Sequence, residues 1–127
     1  MRNFIGSDLS RREAQIMEIL YRLGSATAAG IERELPDPPG YSTVRKLLEV
    51  LRHKGHVEYV FDGPRHLYFP AIPRDEAQRS ALTQVVRTFF AGASSRAVEA
   101  LLETGELNPD ELERIIELAE KARKEGR

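Results

Sequence analysis

The chain has 127 residues, 41% of them hydrophobic and 31% charged, the balance of a folded domain rather than of a disordered chain. It has no cysteine, which excludes disulfides and thiolate metal sites, and no apolar run reaches the ~20 residues of a membrane-spanning helix. Its net charge is −1, with ten Lys/Arg against nine Asp/Glu in residues 1–72 and nine against eleven in 73–127, so any cationic surface must be local.

The opening MRNFIGSDLSRRE lacks the apolar core of a secretory signal, and a cytoplasmic location is expected. Ser10 and Glu13 have the spacing of a capping box. Ile16, Ile19, Leu20 and Leu23 follow at helical spacing until Gly24, which predicts a first helix over 10–22. After a short extended SATA link, Thr27 is placed to cap a second helix, 28–35, with Ala28, Ile31 and Leu35 on its apolar side. PDPPGY is a stiff turn. Ser42 is then expected to cap a third helix whose Val44, Leu47, Leu48 and Leu51 form one apolar stripe, with Gly55 suited to a left-handed C-terminal position.

Val57 to Phe61 and Leu67 to Phe69 read as two strands. DGPR turns between them, and Pro64 implies a loop longer than two residues. Pro70 confines the second strand to an edge or an end. From Pro73 onward the pattern is helical. Leu82, Val85, Val86, Phe89 and Phe90 form a stripe on a helix over 74–91, broken at Gly92. SSRAVEALLETG is a shorter helix. Asn108, Pro109 and Glu111 mark the start of a last one, which has acids at its beginning and bases at its end, as its dipole favours.

The predicted fold is mostly α with a small β-hairpin: a winged helix-turn-helix domain over 1–72, followed by a helical dimerisation domain over 73–127. Each helical residue turns by ~100°, so the stripe of the third helix leaves Ser42, Lys46, Glu49 and His53 at the centre of the opposite face. Arg45 and Val50 flank that face and Arg52 lies at its edge. A helix of this kind fits the major groove of duplex DNA. Arg45 and Lys46 can reach guanine acceptors, Glu49 can accept from a cytosine amino group, and Val50 can touch a thymine methyl. Tyr41, Ser42 and Thr43 can bond phosphates at the helix start. Arg65 and His66 at the hairpin can reach phosphate or the minor groove. Taken alone, such a face is equally that of a solvated helix. Its place as second helix of a helix-turn-helix, with Glu49 its single acid, favours DNA.

Three short helices bury Leu82, Val85, Val86, Phe89, Phe90, Leu101, Leu102, Leu112, Ile115 and Ile116 poorly by themselves. Packing against a second copy of the chain covers them, and twofold symmetry is the common outcome. A three-helix lobe packed back on the winged helix is the alternative. His53, His56 and His66 read as surface imidazoles near phosphates rather than metal ligands, since Gly55 interrupts the helix between His53 and His56 and no cysteine is available. No cofactor is expected. No nucleophile with its base and no phosphate-binding Gly loop occurs, so an enzyme is not expected.

LSRREAQIMEILYRLGSATAAGI, YSTVRKLLEVLRHKGHVEY, the DGPRHLYFP wing and RDEAQRSALTQVVRTFFAGASSRAVEALLETGELNPDELERI together resemble the BlaI/MecI/CopY family of penicillinase-repressor-type transcriptional regulators, over the whole chain. The resemblance implies a homodimeric repressor on a dyad-symmetric operator, with Thr43, Arg45 and Lys46 contacting DNA and Arg65 in the wing. It also implies a sensor or protease as the partner that relieves repression. Lys46 and Val50 stand where many members have Thr and Arg, so a different operator is expected. The C-terminal cysteine cluster of the copper-responsive branch is absent. The bond cleaved in the β-lactam branch, Asn-Phe, has Ala100-Leu101 as its approximate counterpart. The rival reading from another class is a winged-helix protein–protein interaction module without direct DNA binding.

Overall fold

A computed structural model describes residues 9–126, so the opening MRNFIGSD lies outside the described residues. Helix α1 spans Arg11–Leu23. Its capping box forms as the sequence implies: the Glu13 amide donates to Ser10 Oγ at 3.2 Å and the Ser10 amide to Glu13 Oε1 at 3.0 Å. Helix α2, Ala28–Glu34, is capped by Thr27, whose hydroxyl accepts from the Gly30 amide at 3.1 Å.

Helix α3 spans Tyr41–His53 and corrects the expected cap. Gly40, at φ +107°, is the N-cap, and its carbonyl already accepts the Val44 amide at 3.1 Å. Glycine alone adopts that φ without strain, so the helix begins as soon as the prolines end. Ser42 therefore sits inside the first turn with its side chain exposed.

Strands β1, Val57–Asp62, and β2, Arg65–Pro70, pair antiparallel with Asp62 opposite Arg65. The loop is thus the two residues Gly63-Pro64, shorter than expected. Gly63 supplies φ +62° at the first loop position. Pro64 fits the second because its nitrogen needs no partner there. The SATA link joins the hairpin at one point: Ala26 and Tyr68 exchange both backbone hydrogen bonds, at 2.9 and 2.8 Å.

The core under this arrangement consists of Ile16, Leu20, Ile31, Val44, Leu48, Leu51 and Val57, none with measurable exposure. Leu47 packs against it only partly buried. His56 is also fully buried, against the surface position expected of it. Gly55, at φ +87°, turns the chain beneath the end of α3, where the His56 amide donates to the Leu51 carbonyl at 2.9 Å.

Two long-range contacts fix α3 in place. Lys54 Nζ lies 2.8 Å from Oε1 of the buried Glu13, tying the end of α3 to the start of α1. Arg12 donates to the carbonyls of Pro36, at 2.7 Å, and Asp37, at 2.5 Å. It thereby pins the α2–α3 turn, where Asp37 takes φ +47°. Arg12→Ala is expected to cost about 1–2 kcal/mol, since hydrogen bonds from a charged group are worth more than neutral ones. Urea unfolding checks this, and an unchanged midpoint would remove Arg12 from the turn's support.

Helices α4 (Arg74–Phe90), α5 (Ser94–Glu103) and α6 (Pro109–Lys124) complete the chain. Asn108 and Glu111 form the capping box of α6, with amide-to-oxygen distances of 2.8 and 2.9 Å. The chain divides into two compact units whose boundary falls within α4, after Val85. In the first, α4 begins against α1: the Tyr21 hydroxyl donates to the Ile72 carbonyl at 2.8 Å, and the Arg74 guanidinium donates to the Tyr21 carbonyl. In the second, Ala97 is buried, while Phe89 (76% exposed), Leu101 (57%) and Ile116 (56%) are not. No described helix is long and apolar enough to cross a membrane.

Candidate nucleic-acid interface

With Val44, Leu48 and Leu51 in the core, the outer side of α3 is fixed by helical geometry. Ser42, Lys46, Glu49 and His53 are exposed there, and so are Tyr41, Thr43, Arg45, Val50 and Arg52 around them. Every α3 residue singled out for DNA contact therefore has a solvent-facing side chain.

The hairpin adds a feature that sequence reasoning missed. Register pairs Tyr59 with Tyr68 and Phe61 with His66, which puts the four rings on one face. His66 stacks on Tyr59 with centroids 4.1 Å apart and planes at 15°. Phe61 meets His66 edge-on at 5.0 Å, and His66 Nδ1 lies 3.3 Å from the Tyr68 hydroxyl. His66 is thus half-buried in an aromatic cluster rather than free at the tip. The period-two pattern of 59, 61, 66 and 68 carried the signal, but it becomes readable only once the loop is known to be two residues long.

Cations from α3 border this face. The Arg52 guanidinium lies 5.1 Å from the Tyr59 ring centre. Arg45 Nη1 is 3.4 Å from the Tyr41 hydroxyl. That hydrogen bond first, and the nearby Tyr68 second, push the Arg45 pKa up, so its charge is constant. Burial holds the Tyr68 hydroxyl above its ordinary pKa, with Arg45 opposing, which keeps it neutral and able to donate. Arg45 and Arg65 line one concavity of about 140 Å³ together with Tyr41, His66 and Tyr68. A second, of about 290 Å³, runs between Lys46, Glu49 and Arg52 on α3 and Tyr59 on the wing.

The charges are partly matched within the protein. Glu49 lies 3.4 Å from Arg52 and 3.5 Å from His53, Glu58 is 3.9 Å from Arg52, and Asp62 is 3.6 Å from Arg65. All of these groups are well exposed, so each pair is weak and separable. The three histidines occupy three settings: exposed on α3, buried in the core and stacked in the wing.

The penicillinase repressor family model matches residues 9–121. No curated protein matches significantly. Among solved structures, the solution structure of the DNA-binding domain of the repressor BlaI is 20% identical, with 60% of this chain and 93% of that one covered at a TM-score of 0.49. The complex structure of hsRosR-SG is 18% identical, with 93% and 95% covered at 0.51. The reduced form of MarR from E. coli is 15% identical, with 91% and 78% covered at 0.47. At 18% identity and a TM-score above 0.5, the likeness to hsRosR-SG is one of fold alone. The family match, extending from the α1 cap into α6, carries more: this chain belongs to the penicillinase repressor family of winged-helix, DNA-binding transcriptional regulators.

Proposed function

We propose that this chain is a homodimeric transcriptional repressor that reads a dyad-symmetric operator, with α3 in the major groove and the wing beside it. The observation that carries this is the polarity of α3. One side is wholly buried through Val44, Leu48 and Leu51, and the other presents Lys46, Glu49 and their neighbours to solvent next to the aromatic wing, with Arg65 at its turn. Lys46 and Glu49 are the base readers, and Arg45 and Arg65 border a concavity where a backbone phosphate fits.

Charge supply requires two modules. Of the five local cations, Lys54 is held by Glu13, which leaves Arg45, Lys46, Arg52 and Arg65. Non-specific protein–DNA complexes sit near ~10⁻⁴–10⁻⁶ M, and four phosphate contacts on a chain of net charge −1 do not exceed that. A dimer doubles the contacts and gains by effective concentration. The partner is a second copy, joined through the apolar sides of α4, α5 and α6. Inverted half-sites follow from that symmetry, and two reading helices that enter the groove on one side of the duplex set them one helical turn or a multiple of it apart. Relief of repression by a sensor or protease rests on the family likeness. The counterpart bond, Ala100-Leu101, lies inside α5, so its cleavage would require that helix to open.

Arg45→Ala combined with Lys46→Ala tests the assignment. Both side chains are exposed, so the circular dichroism spectrum is expected to be unchanged. Selective retention of a duplex recovered from a random library is expected to vanish. Unchanged selectivity would remove α3 as the reading element. Indifference to duplex DNA even at low salt would instead favour a protein-docking winged helix.

A further inference from the structure

Resting on the DNA-reading function proposed above, we infer that Glu49 sets selectivity by acting as an internal competitor of phosphate. It is the single acid of α3, and it stands on the exposed side among Lys46, Arg52 and His53. Its Oε1 lies 3.4 Å from Arg52 Nη1 and 3.5 Å from His53 Nε2. Arg52 is further held by Glu58 at 3.9 Å and by the Tyr59 ring. On an arbitrary duplex, Arg52 must leave Glu49 before it can neutralise a phosphate, and the carboxylate itself is repelled by the polyanion.

Two consequences follow from the chemistry. Exposed ion pairs are individually weak, so Glu49 does not lock Arg52 away but lowers the return on every phosphate contact made nearby. Entering the groove also strips water from the carboxylate. An exocyclic amino group, that of cytosine or of adenine, restores a donor, whereas the guanine and thymine edges offer only acceptors and a methyl and leave the charge without one. Glu49 thus weakens binding everywhere and is relieved only on a matching site. For a near-neutral protein this achieves selectivity by suppressing the wrong complexes.

Gln and Ala separate the two parts of the role. Glu49→Gln removes the charge but keeps an oxygen that can accept from cytosine or adenine, and Glu49→Ala removes both. Anisotropy titrations of the full chain between 50 and 200 mM salt would use a random duplex and a library-selected one. Glu49→Gln is expected to tighten the random duplex about three- to tenfold at low salt and to steepen the log–log salt slope by about one per subunit. The ratio of selected to random affinity falls accordingly. Glu49→Ala is expected to do the same and also to erase the preference for an amino-bearing base, cytosine or adenine, at one position per half-site. If Glu49→Gln leaves random-duplex affinity within twofold of the parent while the parent remains selective, the competitor role is overturned and the DNA-reading function stands. If the parent shows no salt-dependent duplex binding, both fail together.

Discussion

A chain carrying Phe89→Glu and Ile116→Glu is expected to sediment as a monomer and to bind its selected duplex about 10²–10⁴-fold more weakly than the parent. Phe89 is 76% exposed and Ile116 56% exposed, the former at the end of α4 and the latter in the middle of α6. Leu82, Leu101 and Leu102 add to the same surplus of uncovered apolar area. Burying one large apolar side chain in an interface is worth about 1.5–3 kcal/mol, and a carboxylate in its place reverses the sign by its desolvation. Two such changes per subunit, counted twice across a symmetric interface, exceed what a moderate dimer can lose. The loss in affinity is large because the second half-site is then no longer bound intramolecularly, and linkage of that kind is worth about two to four orders of magnitude. The winged helix contains neither residue, so its circular dichroism and its weak binding to random duplex are expected to persist. A double variant that remains dimeric in sedimentation would place the interface elsewhere.

What was legible in the sequence was whatever is decided within a few residues. The Ser10–Glu13 and Asn108–Glu111 boxes, the Thr27 cap and the stripe of Val44, Leu48 and Leu51 all formed as their spacing implies, because caps and helical periodicity are local. The errors share a different cause. The sequence points to Ser42 as the cap because Gly40 has no side chain to accept a hydrogen bond, although its positive φ starts the helix. Pro64 argues from sequence against a tight loop, and an undefined register hides the aromatic face of Tyr59, Phe61, His66 and Tyr68. The burial of His56 depends on where Gly55 sends the chain, which the neighbouring residues do not reveal. The Arg12 and Lys54 contacts bridge 24 to 41 residues, a distance over which a pattern of residue types carries no information. Within the candidate interface, exposure of the α3 face was readable, and the pairing of its cations with Glu49, Glu58 and the wing was not.

Leu48→Ala is expected to lower stability by about 2–5 kcal/mol, a large share of the 5–15 kcal/mol of a typical domain. The side chain has no measurable exposure and belongs to the cluster formed by Ile16, Leu20, Ile31 and Leu51, so its removal leaves a cavity walled by α1, α2 and α3. At roughly 4–8 °C per kcal/mol for a unit of this size, the melting midpoint should fall by about 10 °C or more. The functional consequence separates packing from reading. Leu48 immediately precedes Glu49 in α3 but points to the opposite side, so the molecules still folded retain the parent's preference among duplexes. Affinity for selected and random duplex then declines together, in proportion to the unfolded fraction, and recovers on cooling. Lys46→Ala is expected to behave inversely, with an unchanged midpoint and altered preference at every temperature. A Leu48→Ala protein that melts within 2 °C of the parent would mean that α3 is not anchored where its apolar stripe places it, and the orientation of its reading face would have to be redrawn.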